Sequence, residues 1–250
     1  MQDLPAFATS FLIVFARVGA VLMLLPVFSE DSVPMRVRLM LAFGLTAGLW
    51  PLLETKVAAA AAAPGTLPAV IIAELMTGIA MGTIIKIMFS AASIAGSIIS
   101  MQVGLSSALV NDPAMGGMSP LLARFVSVAA AIVCMAMSVH HLWIGSIVQS
   151  YGVFPVGGLP PAEDFARLAL QTTTDAMALG LSLAAPLIVY GIVFNVALGL
   201  SSRVAPAIQV FFIAQPLNLM LGLALFAGTL GILLSTFAET MARWMQASWG

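Results

Sequence analysis

The chain alternates long apolar stretches with short polar segments that are rich in glycine and proline. A hydrocarbon core of roughly 30 Å needs about 20 apolar residues in a helix, and six stretches reach that length. The pattern therefore predicts an all-α membrane-complex protein with about six long hydrophobic helices, some of them kinked. The stretches are Phe7–Phe28, Val37–Ala63, Leu67–Leu109, Leu121–Ser150, Asp175–Leu200 and Ala207–Phe237.

Length and local composition refine two of these elements. A straight helix over Leu67–Leu109 would run about 65 Å, roughly twice the hydrocarbon thickness, so we expect a bend or break near Phe89–Ser93.

Glu163 and Asp164 follow a segment rich in proline and glycine. Acidic residues favour the first turn of a helix, and these two predict a helix that starts near Pro161.

Composition indicates a membrane or membrane-complex protein. Of the 250 residues, 61% are hydrophobic and 8% are charged, whereas a soluble domain carries roughly a quarter charged residues. The net charge of -1 supplies no basic surface, which excludes nucleic acid as a partner. Cys134 lies alone in an apolar run, so we expect a small core residue and neither a disulfide nor a metal site.

Basic residues give only a weak signal of membrane orientation. If the amino terminus faces outward, four basic residues fall inside and three fall outside, which barely satisfies the positive-inside rule. This indicates that neighbouring subunits cover some of the apolar faces. The inside residues are Arg36, Arg38, Arg124 and Arg203, and the outside residues are Lys56, Arg167 and Arg243.

Small side chains recur at every fourth position ahead of the centre of the chain. On a helix this spacing forms one narrow stripe against which another backbone can pack closely. The predicted helix-packing stripe consists of Ala92, Gly96, Ser100, Gly104 and Ala108.

The segment NDPAMGGMSP follows this stripe and interrupts the apolar helices. Proline fixes a turn, paired glycines allow several backbone shapes, and flexible methionines fill irregular gaps. These properties suit a soft seal in a membrane conduit, and a plain interhelical turn with incidental methionines is the alternative. The candidate seal residues are Asn111, Asp112, Pro113, Met115, Gly116, Gly117 and Met118.

Ionisable residues inside apolar helices are costly and are functional candidates by default. Glu74 and Lys86 share one helical face, but about 18 Å along the axis separates them. Each therefore needs a partner from another helix or subunit. We interpret these charges as structural, bonded to carbonyl groups or to opposite charges such as Arg17, and not as an ion relay. The expected buried polar or charged contacts are Arg17, Glu74, Lys86, Gln102, Asn195 and Arg203.

Two of these residues lie on one face of a later helix. Asn195 suits an interhelical hydrogen bond, and Arg203 suits either a partner contact or an ordinary basic helix end.

His140 and His141 point about 100° apart on a helix, so we expect a buried or interfacial pair near Trp143 and no shared metal. Catalytic motifs are absent from the sequence, and we expect a non-enzyme without metal or cofactor.

Four segments carry a family resemblance: FARVGAVLMLLPVFSEDSVPMRVRLMLAFGL, AELMTGIAMG through SIISMQVGLSSALVNDPAMGGMSP, SVHHLWIGS and GLSSRVAPAIQVFFIAQPLNLMLGL. Together they resemble the FliR family, the R subunit of the flagellar type III protein-export gate. Virulence secretion systems contain a homologous T subunit. The resemblance covers nearly the whole chain, with one departure: Ala207 and Gln209 stand where the family often has a glutamine and then an asparagine.

The resemblance implies one export-gate domain, 1–250, built of bent hairpins in a spiral assembly. Residues 1–150 are similar to a P subunit, segment 109–120 corresponds to a plug in the export channel, and residues 175–237 are similar to the helical hairpin of a Q subunit. The implied partners are a ring of P subunits, several Q subunits, the FlhB-type switch protein, unfolded flagellar substrates and membrane lipid. The implied location is the bacterial inner membrane at the flagellar basal body.

Other functions stand beside flagellar export at this stage. A virulence export gate would use a homologous subunit, and a small-solute transporter would use Glu74, Lys86 and Asp175. A membrane enzyme would use the adjacent histidines. Coupled uptake by the chain alone would favour the transporter, whereas a gate subunit would be inactive without its partners.

Overall fold

The computed structural model describes residues 3–29, 33–62, 64–112, 117–204 and 210–249. Ala207 and Gln209, at which the chain departs from the family pattern, lie outside these ranges. The helices are α1 (Asp3–Leu24), α2 (Met35–Ala61), α3 (Leu67–Phe89), α4 (Ala91–Val103), α5 (Leu121–Ala136), α6 (Val139–Val153), α7 (Ala162–Val204) and α8 (Val210–Trp249), with a short 3₁₀ turn at Pro64–Thr66 and two strands, β1 (Leu109–Asp112) and β2 (Gly117–Pro120).

The chain packs as two compact units. Unit 1 comprises residues 1–88, 138–173 and 242–250, and unit 2 comprises residues 89–137 and 174–241. Each unit therefore draws on segments that lie far apart in the sequence.

Long apolar helices dominate the fold, which confirms the predicted all-α class. Among the described residues, five helical stretches are long and apolar enough to cross a membrane, and the pair α5 and α6 would make a sixth. This agrees with the six stretches that the sequence predicted.

In unit 1, α1 packs against α2 through aromatic rings. The ring centroids of Phe7 and Trp50 lie 4.5 Å apart in an edge-to-face arrangement, and those of Phe11 and Phe43 lie 5.1 Å apart. The indole Nε1 of Trp50 donates a hydrogen bond of 3.2 Å to Ser10 Oγ. Aromatic pairs of this kind stabilise packing beyond the area that they bury.

The helix boundaries differ from the predicted stretches, and the largest differences involve α5 with α6, then α7, and then α8, which runs to Trp249. The stretch 121–150 is broken between α5 and α6, because Ser138 adopts a φ of 61° and an α-helix cannot continue through a left-handed residue. The helix predicted to start near Pro161 and the span predicted over Asp175–Leu200 are one continuous helix, α7. The break expected near Phe89–Ser93 lies at Ser90, between α3 and α4.

The predicted helix-packing stripe needs a correction. Ala92, Gly96 and Ser100 are buried on α4, but Gly104 lies past the end of that helix with a φ of 87°, and Ala108 lies beyond it. Glycine adopts a left-handed conformation without a steric penalty and commonly ends helices in this way. The stripe on α4 therefore stops at Ser100.

Gly96 brings α4 and α5 into close contact within unit 2. A Cβ atom at Gly96 would lie 2.5 Å from the Cα of Ala123 and 2.8 Å from the carbonyl oxygen of Leu122. These atoms belong to the backbone of α5, so they cannot move aside as a flexible side chain could. The absence of a side chain at Gly96 therefore sets the distance between the two helices.

We predict that Gly96→Ala destabilises unit 2. The added methyl group would force the backbones of α4 and α5 apart, and overpacking of this kind lowers the free energy of unfolding by about 1–3 kcal/mol. Thermal unfolding of the detergent-solubilised protein, followed by tryptophan fluorescence, measures the change.

Gly228→Ala on α8 is the matched control, because no atom lies within 4 Å of the Cβ position there. This variant should be as stable as the original chain or slightly more stable, since alanine favours helix. Equal unfolding temperatures for the two variants would contradict the assigned packing of α4 on α5.

Candidate functional site

Unit 1 contains a fully buried ion pair between α1 and α3. The Arg17 Nε donates to Glu74 Oε2 at 2.6 Å, and the Arg17 Nη2 donates to Glu74 Oε1 at 2.9 Å. Both side chains have a relative exposure of 0%. Two parallel hydrogen bonds make this the strongest type of arginine–carboxylate contact.

Groups from α6 and the segment after it complete the surroundings of the pair. The Arg17 Nη1 donates to Ser150 Oγ and to the Phe154 carbonyl oxygen, and Nη2 also donates to that carbonyl oxygen, each at 3.2 Å. The backbone N–H of Gly157 donates to Glu74 Oε1 at 3.1 Å. The Arg17 guanidinium carbon lies 3.9 Å from the ring centroid of Tyr151, within the range of a cation–π interaction.

This arrangement satisfies the hydrogen-bonding capacity of a buried guanidinium. Arg17 has five N–H donors, and the five hydrogen bonds above supply an acceptor for each. Burial of two charges is costly unless their geometry is good and their remaining polar atoms are bonded. The cluster therefore joins α1 and α3 to the turn that follows α6.

Glycines on α3 allow α1 to approach closely enough for this pair to form. A Cβ atom at Gly78 would lie 2.7 Å from the Cβ of Ala20, and one at Gly82 would lie 2.7 Å from the Cβ of Leu24. Glu74 lies one turn before Gly78 and faces the same helix. One face of α3, which carries Glu74, Gly78 and Gly82 at four-residue spacing, therefore packs against α1.

The other expected polar contacts have different environments. Lys86 and Gln102 are half-buried, and Lys86 makes no hydrogen bond or ion pair with any residue in the described ranges. Asn195 and Arg203 are exposed on the chain, and the expectation that they make buried contacts stays a prediction. The Asn195 Nδ2 donates to the Gly191 carbonyl oxygen of its own helix at 2.8 Å, and Arg203 lies in the last turn of α7.

The candidate seal segment forms a short β-hairpin in unit 2. Strands β1 and β2 pair antiparallel with Leu109 opposite Pro120 and Asp112 opposite Gly117, and the Leu121 N–H donates to the Ala108 carbonyl oxygen at 2.9 Å. The sequence predicted a flexible loop here, and the paired strands correct that expectation. Leu109–Pro120 is named the central hairpin below.

Parts of the candidate seal fall outside the described residues. Pro113, Met115 and Gly116 lie in the gap from 113 to 116, and Asn111, Asp112 and Gly117 are described by their backbone alone. The side chain of Met118 is 69% exposed, which leaves this methionine available for contact with another molecule.

The sequence did not single out two polar residues that form hydrogen bonds at the last turn of α4. The Tyr190 hydroxyl lies 2.9 Å from Asn218 Oδ1, and the Asn218 Nδ2 donates to the Gln102 carbonyl oxygen at 3.2 Å. Both residues are isolated polar side chains within long apolar runs. A single polar residue within an apolar stretch is the signal that indicated Glu74 and Asn195. The same signal, applied to every polar residue, also indicates Tyr190 and Asn218.

The histidine pair lies at the start of α6. The ring centroids of His140 and His141 are 4.2 Å apart, His140 is half-buried and His141 is exposed. Within the described ranges, no group of three or more His, Cys, Asp or Glu side chains could hold a metal ion. Trp143 is fully buried on the next turn.

Two of the charges assigned to a small-solute transporter differ in burial. Glu74 is neutralised by Arg17 in a saturated hydrogen-bond cluster, and Asp175 is exposed. A coupling carboxylate needs to exchange its proton or ion during transport. The pairing of Glu74 therefore favours a structural contribution of this residue.

Comparison with known proteins identifies relatives across almost the whole chain. Residues 8–244 match the family described as bacterial export proteins, family 1. The chain is 41% identical over 227 residues to flagellar biosynthetic protein FliR of Caulobacter vibrioides, covering 89% of this chain and 90% of that protein. It is 36% identical over 225 residues to FliR of Escherichia coli (89% and 84%) and 28% identical over 222 residues to FliR of Bacillus subtilis (88% and 85%). The resemblance drawn from the sequence segments is confirmed.

We predict that replacing one member of the buried ion pair destabilises the chain more than replacing both. Arg17→Met or Glu74→Met leaves one unpaired buried charge, at a cost of about 3–5 kcal/mol. The double variant removes both charges, so its loss of stability should be smaller than the sum of the two single losses. A double-mutant cycle based on the unfolding temperature and on the yield of folded protein measures this coupling.

Glu163→Gln provides the control, because it breaks an exposed ion pair with Arg167 of 3.2 Å on the surface of α7. Exposed pairs contribute little, and this variant should match the original chain. Strictly additive losses in the Arg17 and Glu74 cycle would contradict the assigned pairing.

Proposed function

The chain belongs to family 1 of the bacterial export proteins, and on that basis we propose that it is a core subunit of the flagellar type III protein-export gate. The observation that carries this proposal is the match of residues 8–244 to the family together with the 41% identity to a FliR protein. The chain is accordingly a subunit of the flagellar export apparatus. The assembly, the channel and the seal described below are the finer parts of the proposal.

The proposed gate contains a ring of P subunits, several Q subunits and the FlhB-type switch protein. The distribution of apolar surface on the chain supports such partners. Met40, Phe43 and Leu52 on α2 are 75%, 59% and 65% exposed, and α7 and α8 also carry large exposed apolar side chains. Contiguous apolar surface marks contact with lipid or with other proteins. In this proposal, residues 1–150 resemble a P subunit and residues 175–237 resemble a Q subunit.

We place the gate in the bacterial inner membrane at the flagellar basal body. Five or six described helical stretches are long and apolar enough to cross a bilayer, and this supports a membrane location. The break between α5 and α6 also suits bent hairpins in a spiral assembly. Contacts with neighbouring subunits would then cover faces that an ordinary membrane protein turns to lipid.

The central hairpin is the proposed seal of the protein-conducting channel. Its strands pair from Leu109 opposite Pro120 to Asp112 opposite Gly117, and the N–H of Leu121 donates to the Ala108 carbonyl oxygen. Met115, Gly116, Gly117 and Met118 would form a deformable surface, because methionine repacks readily and glycine permits several backbone conformations. Unfolded flagellar substrates would displace this surface as they pass.

The proposed gate subunit performs no catalysis and holds no cofactor or metal. Transport would depend on shape change and on the energy supplied by other components. The saturated pairing of Arg17 with Glu74 supports structural use of the buried charges.

We predict that deleting Met115–Met118 opens the closed gate to ions. The deletion removes the proposed sealing surface together with Gly117 and Met118, the β2 partners of Asp112 and Asn111, so it also shortens the paired strands. Gates assembled with all partner subunits should conduct in planar bilayers without substrate, and cells that carry the variant should grow poorly under osmotic stress. Unchanged conductance together with unchanged growth would overturn the assignment of the seal.

The control replaces two exposed methionines outside the central hairpin. Met177 on α7 and Met220 on α8 are 54% and 71% exposed, and their joint replacement by serine changes the methionine content by a similar amount. This double variant should remain closed. A leak of equal size in the control would indicate a general loss of assembly.

Proteoliposomes that hold the chain alone provide a further prediction. Because the channel is proposed to need P and Q subunits, the isolated chain should neither conduct ions nor take up solute. Flux measurements with and without a proton gradient test this. Coupled uptake by the chain alone would contradict the gate and would support a small-solute transporter.

A further inference from the structure

Residues 104–108 connect the last turn of α4 to the central hairpin, and hydrogen bonds satisfy several backbone carbonyl groups of that turn. The last carbonyl groups of a helix lack partners within that helix. Here the Leu105 N–H donates to the Ser100 carbonyl oxygen at 2.8 Å, and the Gly104 N–H donates to the Met101 carbonyl oxygen at 3.3 Å. The left-handed conformation of Gly104 allows both bonds, as is common where helices end in glycine.

A side chain from a distant helix caps the next carbonyl group. The Gln102 oxygen accepts a hydrogen bond from the Nδ2 of Asn218, which lies 116 residues further along the chain on α8. The Tyr190 hydroxyl, on α7, lies 2.9 Å from the Oδ1 and 3.1 Å from the backbone oxygen of Asn218. The hydroxyl donates to Asn218 and fixes the orientation of its amide, so that Nδ2 points to α4.

Two buried glycines keep α7 and α8 close to the same turn. A Cβ atom at Gly191, next to Tyr190, would overlap the side-chain amide of Gln102. A Cβ atom at Gly222, one turn after Asn218, would lie 2.9 Å from the Val103 Cγ2. The close packing and the hydrogen bonds therefore converge on residues 102–104.

We propose that Tyr190 and Asn218 form a latch that holds the last turn of α4 and thereby positions the central hairpin. These are positioning residues, since they act on the hairpin through the Gln102 carbonyl group. The proposal rests on the proposed function of the hairpin as the seal. Opening of the gate would break the bond from Asn218 to Gln102 and release the chain from Gly104 onwards, while the glycine contacts would guide its return.

The latch suits a reversible movement because its bonds are neutral. A hydrogen bond between uncharged groups contributes far less than a buried ion pair, so it can break and form again during transport. The ion pair of Arg17 and Glu74 in unit 1 has the opposite character. The chain thus uses a charged cluster for a permanent contact and a neutral chain of hydrogen bonds next to the segment that moves.

The test measures hydrogen exchange in the full chain assembled with its partner subunits. Tyr190→Phe removes only the hydroxyl group, and Asn218→Leu removes both side-chain hydrogen bonds. We expect exchange of the backbone amides in 105–112 and 117–121 to become roughly three- to tenfold faster in both variants, the effect of one lost neutral hydrogen bond on a local opening. Exchange in α1 and α3 should stay unchanged.

Two matched controls separate the latch from a general effect of the substitutions. Tyr151→Phe removes a buried hydroxyl that has no hydrogen-bond partner among the described residues, and Asn195→Leu removes an amide that bonds only its own helix in that part of the chain. Both controls should leave exchange of the central hairpin unchanged. If these amides exchange at the same rate in Tyr190→Phe as in Tyr151→Phe, the latch is overturned. This comparison does not need the Asn218→Leu variant, so the test still decides if that variant fails to assemble.

Conductance of the same assembled gates tests the seal separately. If the Met115–Met118 deletion does not leak but hairpin exchange rises in Tyr190→Phe, the latch is supported and the sealing function of the hairpin is wrong. If the deletion leaks but exchange stays unchanged in Tyr190→Phe, the seal is supported and the latch is wrong. If both effects occur, Tyr190→Phe should also raise the leak of the closed gate, and it should add nothing in the deletion background.

Discussion

The need to give the buried charged groups of an apolar chain partners within the protein governs this structure. Water cannot complete such groups where helices are covered by lipid or by neighbouring subunits, so their partners must come from the protein. In unit 1, the guanidinium of Arg17 donates five hydrogen bonds to four oxygen atoms of Glu74, Ser150 and Phe154. This cluster fixes the contact of α1 with α3 and with the segment after α6. Separating these segments would leave an unpaired charge in an apolar environment.

Glycines at the helix contacts are the second feature on which the structure depends, because they allow polar groups to come within hydrogen-bonding distance. Gly78 and Gly82 bring α3 onto α1 beside the ion pair, and Gly191 and Gly222 bring α7 and α8 onto the end of α4 beside the hydrogen bonds of Asn218. In both units, close backbone contact and polar bonding occur on the same turns. The charged hydrogen bonds of Arg17 and Glu74 lie in unit 1, and the neutral hydrogen bonds of Asn218 lie in unit 2, at the end of α4.

The sequence predicted the helical class, the break after Phe89 and the start of α7, because apolar length and helix-end chemistry are local signals. It did not predict the bend at Ser138, since no glycine or proline marks that position, nor the strands of the central hairpin, whose residues favour turns. The strands lie between the end of α4 and the start of α5, two helices whose backbones are in close contact at Gly96. Gly104 was counted in a helical stripe although glycine at that spacing is also the usual end of a helix.

The account describes a polypeptide whose exposed apolar faces are completed by other subunits around a channel. Native mass measurement of the full chain, extracted from membranes in mild detergent, tests this most directly. The account predicts that the chain appears only in assemblies that contain several partner subunits and far exceed its own 26.0 kDa. Recovery of the chain as a stable, monodisperse monomer without partners would contradict it.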